Sequence, residues 1–369
     1  MRVGIDAREL QGRPTGAGRY LRSLLRCWTQ TAEDTLVAYF DGPAPSDPVL
    51  LRGRIDARSL GDGRQRGLLW QQQLLPAAAE HDALDVFFAP AYTCPLRLCV
   101  PRVTAVHDLS FFARPDEFPF LDGLRRRLLV RASLAASARI LACSAFTRHE
   151  IASRFPETGE RVLHVPLGAD ADLPPAPPRA EARVRLGVTG PLLLSVGTLL
   201  HRRCLPDLLR AVARLLPRWP EIRLEVVGEN RTHPFRDFSS LAAELDLGAR
   251  VRFLGFVDEA ALADLYAAAD VSVALSEYEG FGLPALEALA RGVPLVAADR
   301  PSLDEVVGDA ALLVEPREPA AIADAIASLL SDDGLRRSAI ERGRARAASY
   351  SWTATARSTR HAFQAATSR

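Results

Sequence analysis

Short apolar runs alternate with longer amphipathic ones along almost the whole chain. Strands are expected at residues 2–5, 35–40, 86–89, 102–107, 139–143 and 162–165, and helices near 18–28, 67–80, 121–137 and 145–155. A second series begins with a strand at 192–196 and continues at 223–227, 251–254, 271–275, 294–297 and 311–314. Its helices fall near 204–214, 235–246, 259–268, 284–291 and 319–330. Strand–helix alternation of this kind is the signature of a parallel sheet covered by helices. Between the two series stands the run LPPAPP at 173–178, which continues neither a helix nor a central strand and stiffens a connection.

The expected architecture is therefore α/β, with two Rossmann-like, doubly wound domains. They comprise residues 1–172 and 173–345, followed by a segment at 346–369. The stretch 335–365 reads as amphipathic and helical, kinked near Tyr350 and Trp352. Doubly wound domains bind ligands at the carboxyl ends of their strands. Two such domains facing each other would offer a donor wall and an acceptor wall.

Composition changes this picture little. A length of 369 residues suits two domains of roughly 100–200 residues each. The formal net charge of +1 gives no electrostatic footprint for nucleic acid. No apolar run approaches the roughly 20 residues of a membrane span. The opening MRVGIDA reads as a strand rather than a signal peptide, so a cytoplasmic protein is expected. Five scattered cysteines fit neither a disulfide framework nor a zinc site. All 46 basic residues are arginine, so any cation that meets a phosphate here is Arg, His or a backbone N–H.

The most informative stretch is SEYEGFGLPALEALARGVP at 276–294, directly after an expected strand. Gly280 and Gly282 permit a tight loop with exposed N–H groups, and Pro284 suits a first helical turn. A helix N-terminus with free N–H groups suits a diphosphate. Glu279 and Glu287 would repel that anion, yet they suit hydroxyls on either side of it, a sugar at one end and a ribose at the other. Within this stretch, Glu279 to Glu287 resembles the E-x7-E motif of family 4 of the glycosyltransferases. The resemblance extends over essentially the full chain. It implies a retaining enzyme of the GT-B fold, whose C-terminal helix crosses back to the N-terminal domain. By the same resemblance Glu279 would contact the donor sugar and Glu287 the nucleotide ribose. Gly280, Phe281, Gly282 and Leu283 would offer backbone N–H groups to phosphate and sugar.

Further motifs follow other expected strands. In VGTLLHRRCL at 196–205, cationic side chains would neutralise charge developing on a departing diphosphate, with Thr198 beside them. The family usually carries Arg-Lys where this chain has Arg202-Arg203, and Cys204 replaces a frequent small polar residue. In TGAGRY at 15–20, the resemblance singles out Gly16 for close approach to the diphosphate. His107 and Asp108 match the family's HD segment; His107 would contact the sugar or place the acceptor, and Asp108 would orient its ring. Phe256 and Val257, at another strand end, would line the base.

The resemblance implies transfer of a hexose from a nucleoside-diphosphate sugar, with GDP-mannose a frequent donor among relatives. The acceptor would be a sugar or a lipid-linked sugar in cell-surface polysaccharide synthesis, with peripheral association at the inner face of the membrane. No cofactor beyond the donor and no metal are expected: Asp170-Ala171-Asp172 precedes the proline run and reads as a turn. A silent nucleotide-sugar-binding protein and a GT-B sugar-nucleotide epimerase are the rival readings.

Overall fold

The computed structural model describes every residue except 14, 32–33, 51–54, 64–66, 170–174 and 369, and only the backbone of Thr31. The chain forms two compact units. The first holds Met1–Ala113, Phe120–Gly168 and Ser351–Arg369; the second holds Arg114–Pro119 and Ala169–Tyr350.

In the first unit, β1 (Arg2–Asp6), β2 (Thr35–Asp41), β3 (Ile55–Leu60), β4 (Val86–Ala89), β5 (Arg102–Val106), β6 (Arg139–Ala142) and β7 (Val162–His164) make one parallel sheet. Its order is β3-β2-β1-β4-β5-β6-β7. The order reverses between β1 and β4. β3, sequence IDARSL, is not expected from its pattern, because as an edge strand it stays largely exposed and keeps polar residues on both faces. Pairing with β2 alone makes it a strand.

Helix Trp352–Thr367 also belongs to this unit. Its Ala356 carbonyl accepts a hydrogen bond from Trp28 Nε1 at 3.0 Å, and Phe363 packs against both Trp28 and Phe88. Gly168 abuts Trp352 so closely that a Cβ would collide with its backbone. The helical stretch expected at 335–365 with a kink near Tyr350 and Trp352 is two helices, Asp333–Ala348 and Trp352–Thr367. Ser351 restarts the second one, its Oγ accepting from Ala354 N–H at 3.1 Å.

In the second unit, β8 (Leu192–Val196), β9 (Arg223–Val227), β10 (Val251–Gly255), β11 (Val271–Ala274), β12 (Leu295–Ala298) and β13 (Ala311–Val314) form a parallel sheet ordered β10-β9-β8-β11-β12-β13. Here the reversal lies between β8 and β11. Leu193, Leu209, Val212, Leu224, Val226 and Ile326 fill the core against it.

Two helices of this unit are not expected from periodicity. Pro301–Val307 is short. Half of the residues of Arg179–Leu186 are charged, and ion pairs join apolar packing in holding it: Arg179 and Arg183 pair with Asp270, Arg185 pairs with Asp264, and Ala182 is buried against Leu192 and Ala268. This helix begins directly after Pro178. The start of the expected linker and both carboxylates of the Asp170/Asp172 pair lie outside the described residues. The five cysteines form no disulfide, and only Cys99 is exposed. No helix among the described residues is long and apolar enough to cross a membrane.

Candidate active site

The loops after β8 and β11 flank the point where the strand order of the second sheet reverses, which is where doubly wound sheets bind ligands. After β8 the chain turns at Gly197 with φ of +132°, a conformation open mainly to glycine. A Cβ at Gly197 would strike the Arg203 guanidinium, and one at Gly228 would strike the Gly197 carbonyl. The loop is thus packed backbone to backbone with the one after β9. Residues His201–Arg203 make one tight 3-10 turn before helix Leu205–Leu215.

This turn sends its two arginines to different partners. Arg203 donates from Nη1 to the Val196 carbonyl at 3.2 Å, and its Nη2 lies 2.7 Å from Glu279 Oε1. It therefore ties the end of β8 to the loop after β11, and both side chains of the pair keep part of their surface in solvent. Arg202 is buried at 7% exposure, with Nη1 2.9 Å from Glu117 Oε2. Of the two arginines expected to meet the leaving diphosphate, Arg202 is thus paired with Glu117 away from solvent, and Arg203 with the partly exposed Glu279. Burial also pushes the Cys204 thiol up to about 12, so this cysteine is an inert filler of the turn.

Glu277 is the anchor of the second loop. Its carboxylate takes Arg317 through both oxygens, at 2.5 and 2.7 Å, and Arg114 at 3.1 Å. Arg317 first, and then Arg114, hold it below the usual carboxylate range against the cost of burial. Its backbone N–H donates to the Arg202 carbonyl at 2.8 Å. Glu117, Arg114 and Arg317 carry no sequence signal that links them to the motifs. They come from distant parts of the chain and act only through the fold.

The glycine loop then leads into helix Leu283–Ala290, with Pro284 in its first turn. Gly282 has φ of +92°, and a Cβ there would meet Leu303. Phe281 is buried and packs edge-on against Tyr350 at 5.7 Å, so this residue offers the site its backbone rather than its ring. Gly280 is buried and Leu283 partly so. Glu287 is buried at 2% exposure, and Tyr266 Oη donates to its Oε2 at 3.3 Å.

Four independent features thus converge on one place: a reversal in strand order, a cation, a carboxylate and a helix N-terminus behind a glycine loop. Residues 179–346 match the family described as glycosyl transferases group 1, and residues 14–173 match glycosyltransferase family 4. The chain is 33% identical over 362 residues to O-antigen chain mannosyltransferase B of Escherichia coli, a match covering 92% of this chain and 93% of that one. This chain belongs to glycosyltransferase family 4.

Its fold is GT-B, as in two solved structures. Sucrose-phosphate synthase from Thermosynechococcus elongatus superposes with a TM-score of 0.80 at 22% identity, covering 99% of this chain and 98% of that one. Anabaena HepE in complex with UDP and glucose gives a TM-score of 0.75 at 20% identity, covering 97% and 98%.

The remaining residues expected in this glycosyltransferase's site are scattered more widely. Thr198 sits partly buried two residues past β8, beside the arginine turn. Phe256 is exposed and Val257 half-buried at the end of β10, the edge strand separated from β8 by β9. In the first unit Gly16 opens helix Gly16–Thr31 with free space around it, whereas Gly18 is the glycine that packing demands, because a Cβ there would strike the Glu9 carbonyl. His107 follows β5. Its ring lies edge-on to Tyr20 and Tyr92, and Nε2 donates to the Pro90 carbonyl at 2.8 Å. The carbonyl can only accept, which makes Nε2 the protonated nitrogen. Asp108, expected to orient this ring, accepts from the N–H and Oγ of Ser110 at 3.0 and 2.9 Å.

Proposed function

We propose that this glycosyltransferase moves a hexose from a nucleoside-diphosphate sugar to a sugar or lipid-linked acceptor in cell-surface polysaccharide synthesis, with retention of anomeric configuration. The observation that carries the reading is the Arg203–Glu279 pair at the reversal between β8 and β11, beside the N-terminus of helix Leu283–Ala290. Glu279 is a carboxylate for a sugar hydroxyl, and Arg203 is a cation for the leaving diphosphate. Arg203 and the loop N–H groups stabilise the departing phosphate, which takes the acceptor's proton while the acceptor enters on the same face. The naming of the Escherichia coli relative as a mannosyltransferase favours mannose, and GDP-mannose is the first donor to try.

In this reading positive charge comes from Arg203 and the helix end rather than from a divalent cation. The test is nucleotide release from a panel of nucleotide sugars, each with and without an acceptor mixture and with and without excess chelator. Acceptor-dependent release that survives chelator is the expected outcome. Release of free or isomerised sugar without acceptor would favour an epimerase, tight binding without turnover a silent binder, and loss in chelator a metal site.

Acceptors carried on lipid bring the enzyme to a membrane surface, and helix Phe120–Ala136 has the chemistry for it. Leu121, Leu124 and Leu128 are exposed on one helical face, with Phe120 at its start. Arg125 and Arg131 flank this face, both exposed. The helix's one acidic residue, Asp122, is taken up by Arg125 and Arg126. Apolar side chains rimmed by arginine suit an anionic lipid surface, where the chains insert and the guanidinium groups reach the headgroups. Sedimentation with vesicles rich in phosphatidylglycerol should exceed that with phosphatidylcholine alone, and Leu121→Ser plus Leu128→Ser should abolish the difference. Equal binding to both vesicles, or a dimer that the same substitutions dissociate, would refute the lipid assignment.

A further inference from the structure

Residues Arg114–Pro119 belong to the second unit, although Ala113 before them and Phe120 after them belong to the first. The segment is a short excursion built on a tight turn at Pro115–Glu117. It sends one side chain of each sign into the donor loops. Glu117 takes Arg202 of the loop after β8 at 2.9 Å, and Arg114 takes Glu277 of the loop after β11 at 3.1 Å. Arg202 and Glu277 are themselves joined, by the bond from the Glu277 N–H to the Arg202 carbonyl. Four residues therefore form a crossed clamp across the two loops that flank the strand reversal. The residue after Arg202 is Arg203, and the residue two after Glu277 is Glu279.

We infer that Glu117 is a positioning residue for donor chemistry: by holding Arg202 in the fold it sets the loop so that Arg203 meets Glu279 and the diphosphate. The inference rests on the donor reading above. The Glu117–Arg202 pair is almost fully withdrawn from water, with side-chain exposures of 9% and 8%. Removing one member breaks a charge-assisted bond that is almost fully withdrawn from water, and the loop moves in response. Replacing both members by apolar side chains removes this ion pair without leaving either half of it behind. Arg203 sits one peptide bond from the disturbance. A displacement of about 1 Å at a reacting group can lower the rate about a hundredfold.

The experiment compares Glu117→Gln, Glu117→Ala, Arg202→Met and the double variant Glu117→Leu with Arg202→Met. Readouts are kcat and donor KM, together with amide hydrogen exchange of residues 201–204 and 276–279. The single variants should lose about tenfold or more in kcat, with faster exchange in both loops, and the double variant should recover most of both. Glu117→Gln keeps the shape of the side chain and so tests the charge if Glu117→Ala folds poorly. Two results overturn the inference. One is kcat within about twofold of the parent in Glu117→Ala, against the about tenfold loss expected of a displaced group. The other is a double variant no better than Arg202→Met, which would place Arg202 itself on the donor. If the parent enzyme turns over none of the nucleotide sugars, the donor reading fails separately. The exchange data still decide whether Glu117 holds the loops.

Discussion

Arg203 Nη2 and Glu279 Oε1 meet at 2.7 Å between the loops that follow β8 and β11. In the proposed reading the pair joins two chemistries, a cation for phosphate and a carboxylate for sugar hydroxyls. Both side chains are half-buried, at 22% and 15% exposure, so a diphosphate that draws Arg203 away must replace the guanidinium's counter-charge as well as its contact.

Replacing Arg203 therefore tests whether charge is the operative property. Negative charge on the leaving diphosphate grows toward the transition state, so loss of the cation should appear in kcat rather than in donor KM. Arg203→Ala is expected to lower kcat by about a hundredfold and Arg203→Lys by much less. Equal damage from both would show that the fork geometry of the guanidinium matters more than its charge.

Glu279→Gln keeps the volume of the side chain and removes the charge that binds a hydroxyl strongly. Transfer should fall by about a hundredfold or more with the fold intact if, as proposed, Glu279 holds a hydroxyl that fixes the reacting centre. A variant with the parent's turnover in a steady-state assay would remove Glu279 from the site.

Glu287 calls for a different expectation. In the proposed reading a contact from Glu287 to the ribose would be made equally before and during reaction, so Glu287→Gln should raise donor KM by about tenfold with a smaller effect on kcat. Its burial beside Tyr266 allows a competing outcome, in which the carboxylate only supports the helix. A lowered melting temperature with unchanged donor KM would favour that structural role.

Much of this site can be read from sequence because its parts are local. The alternation of apolar runs places most strands of both sheets, and EGFGLPALE marks the loop and helix start. What cannot be read is how the chain settles its charges. HRR offers two equivalent arginines on paper; only the fold assigns Arg202 to Glu117 and Arg203 to Glu279. The same holds for β3 and helix Arg179–Leu186. β3 is a polar stretch that pairing with β2 makes a strand, and the helix has four charged residues in eight and no helical apolar period, being fixed by ion pairs with Asp264 and Asp270 and by burial of Ala182 against Leu192 and Ala268.

His107 gives a prediction about pH. Burial lowers its folded-state value below the ordinary 6.5, outweighing the Pro90 hydrogen bond and the nearby Asp108. Above about pH 6.5 both folded and unfolded chains hold a neutral ring, and this residue adds no pH dependence. Below it the unfolded chain binds a proton that the folded chain refuses, so stability falls as pH drops toward the lowered folded value. Urea unfolding at about pH 7.5 and about pH 5.5 should show this loss, and His107→Asn should reduce it. An identical pH slope in parent and variant would mean the ring is not held neutral.

Gly197→Ala tests the geometry of the arginine from its other side. Two effects arise from one methyl group. The backbone at Gly197 has φ of +132°, which a residue with a Cβ adopts only under strain, typically about 1–3 kcal/mol. The new Cβ would also collide with the Arg203 guanidinium, which now bonds the Val196 carbonyl across the same turn. Arg203 is a long side chain and can swing away, so the collision is relieved by losing its reach to Glu279. The substitution should therefore lower the melting temperature moderately and reduce kcat nearly as far as Arg203→Ala does, although no charged group has been removed. Combining the two separates strain from displacement. If the collision acts through the guanidinium, Gly197→Ala adds little to kcat in an Arg203→Ala background while still lowering stability. Additive losses in kcat would mean that Gly197 serves the donor directly through its backbone, and that the position of Arg203 does not depend on it.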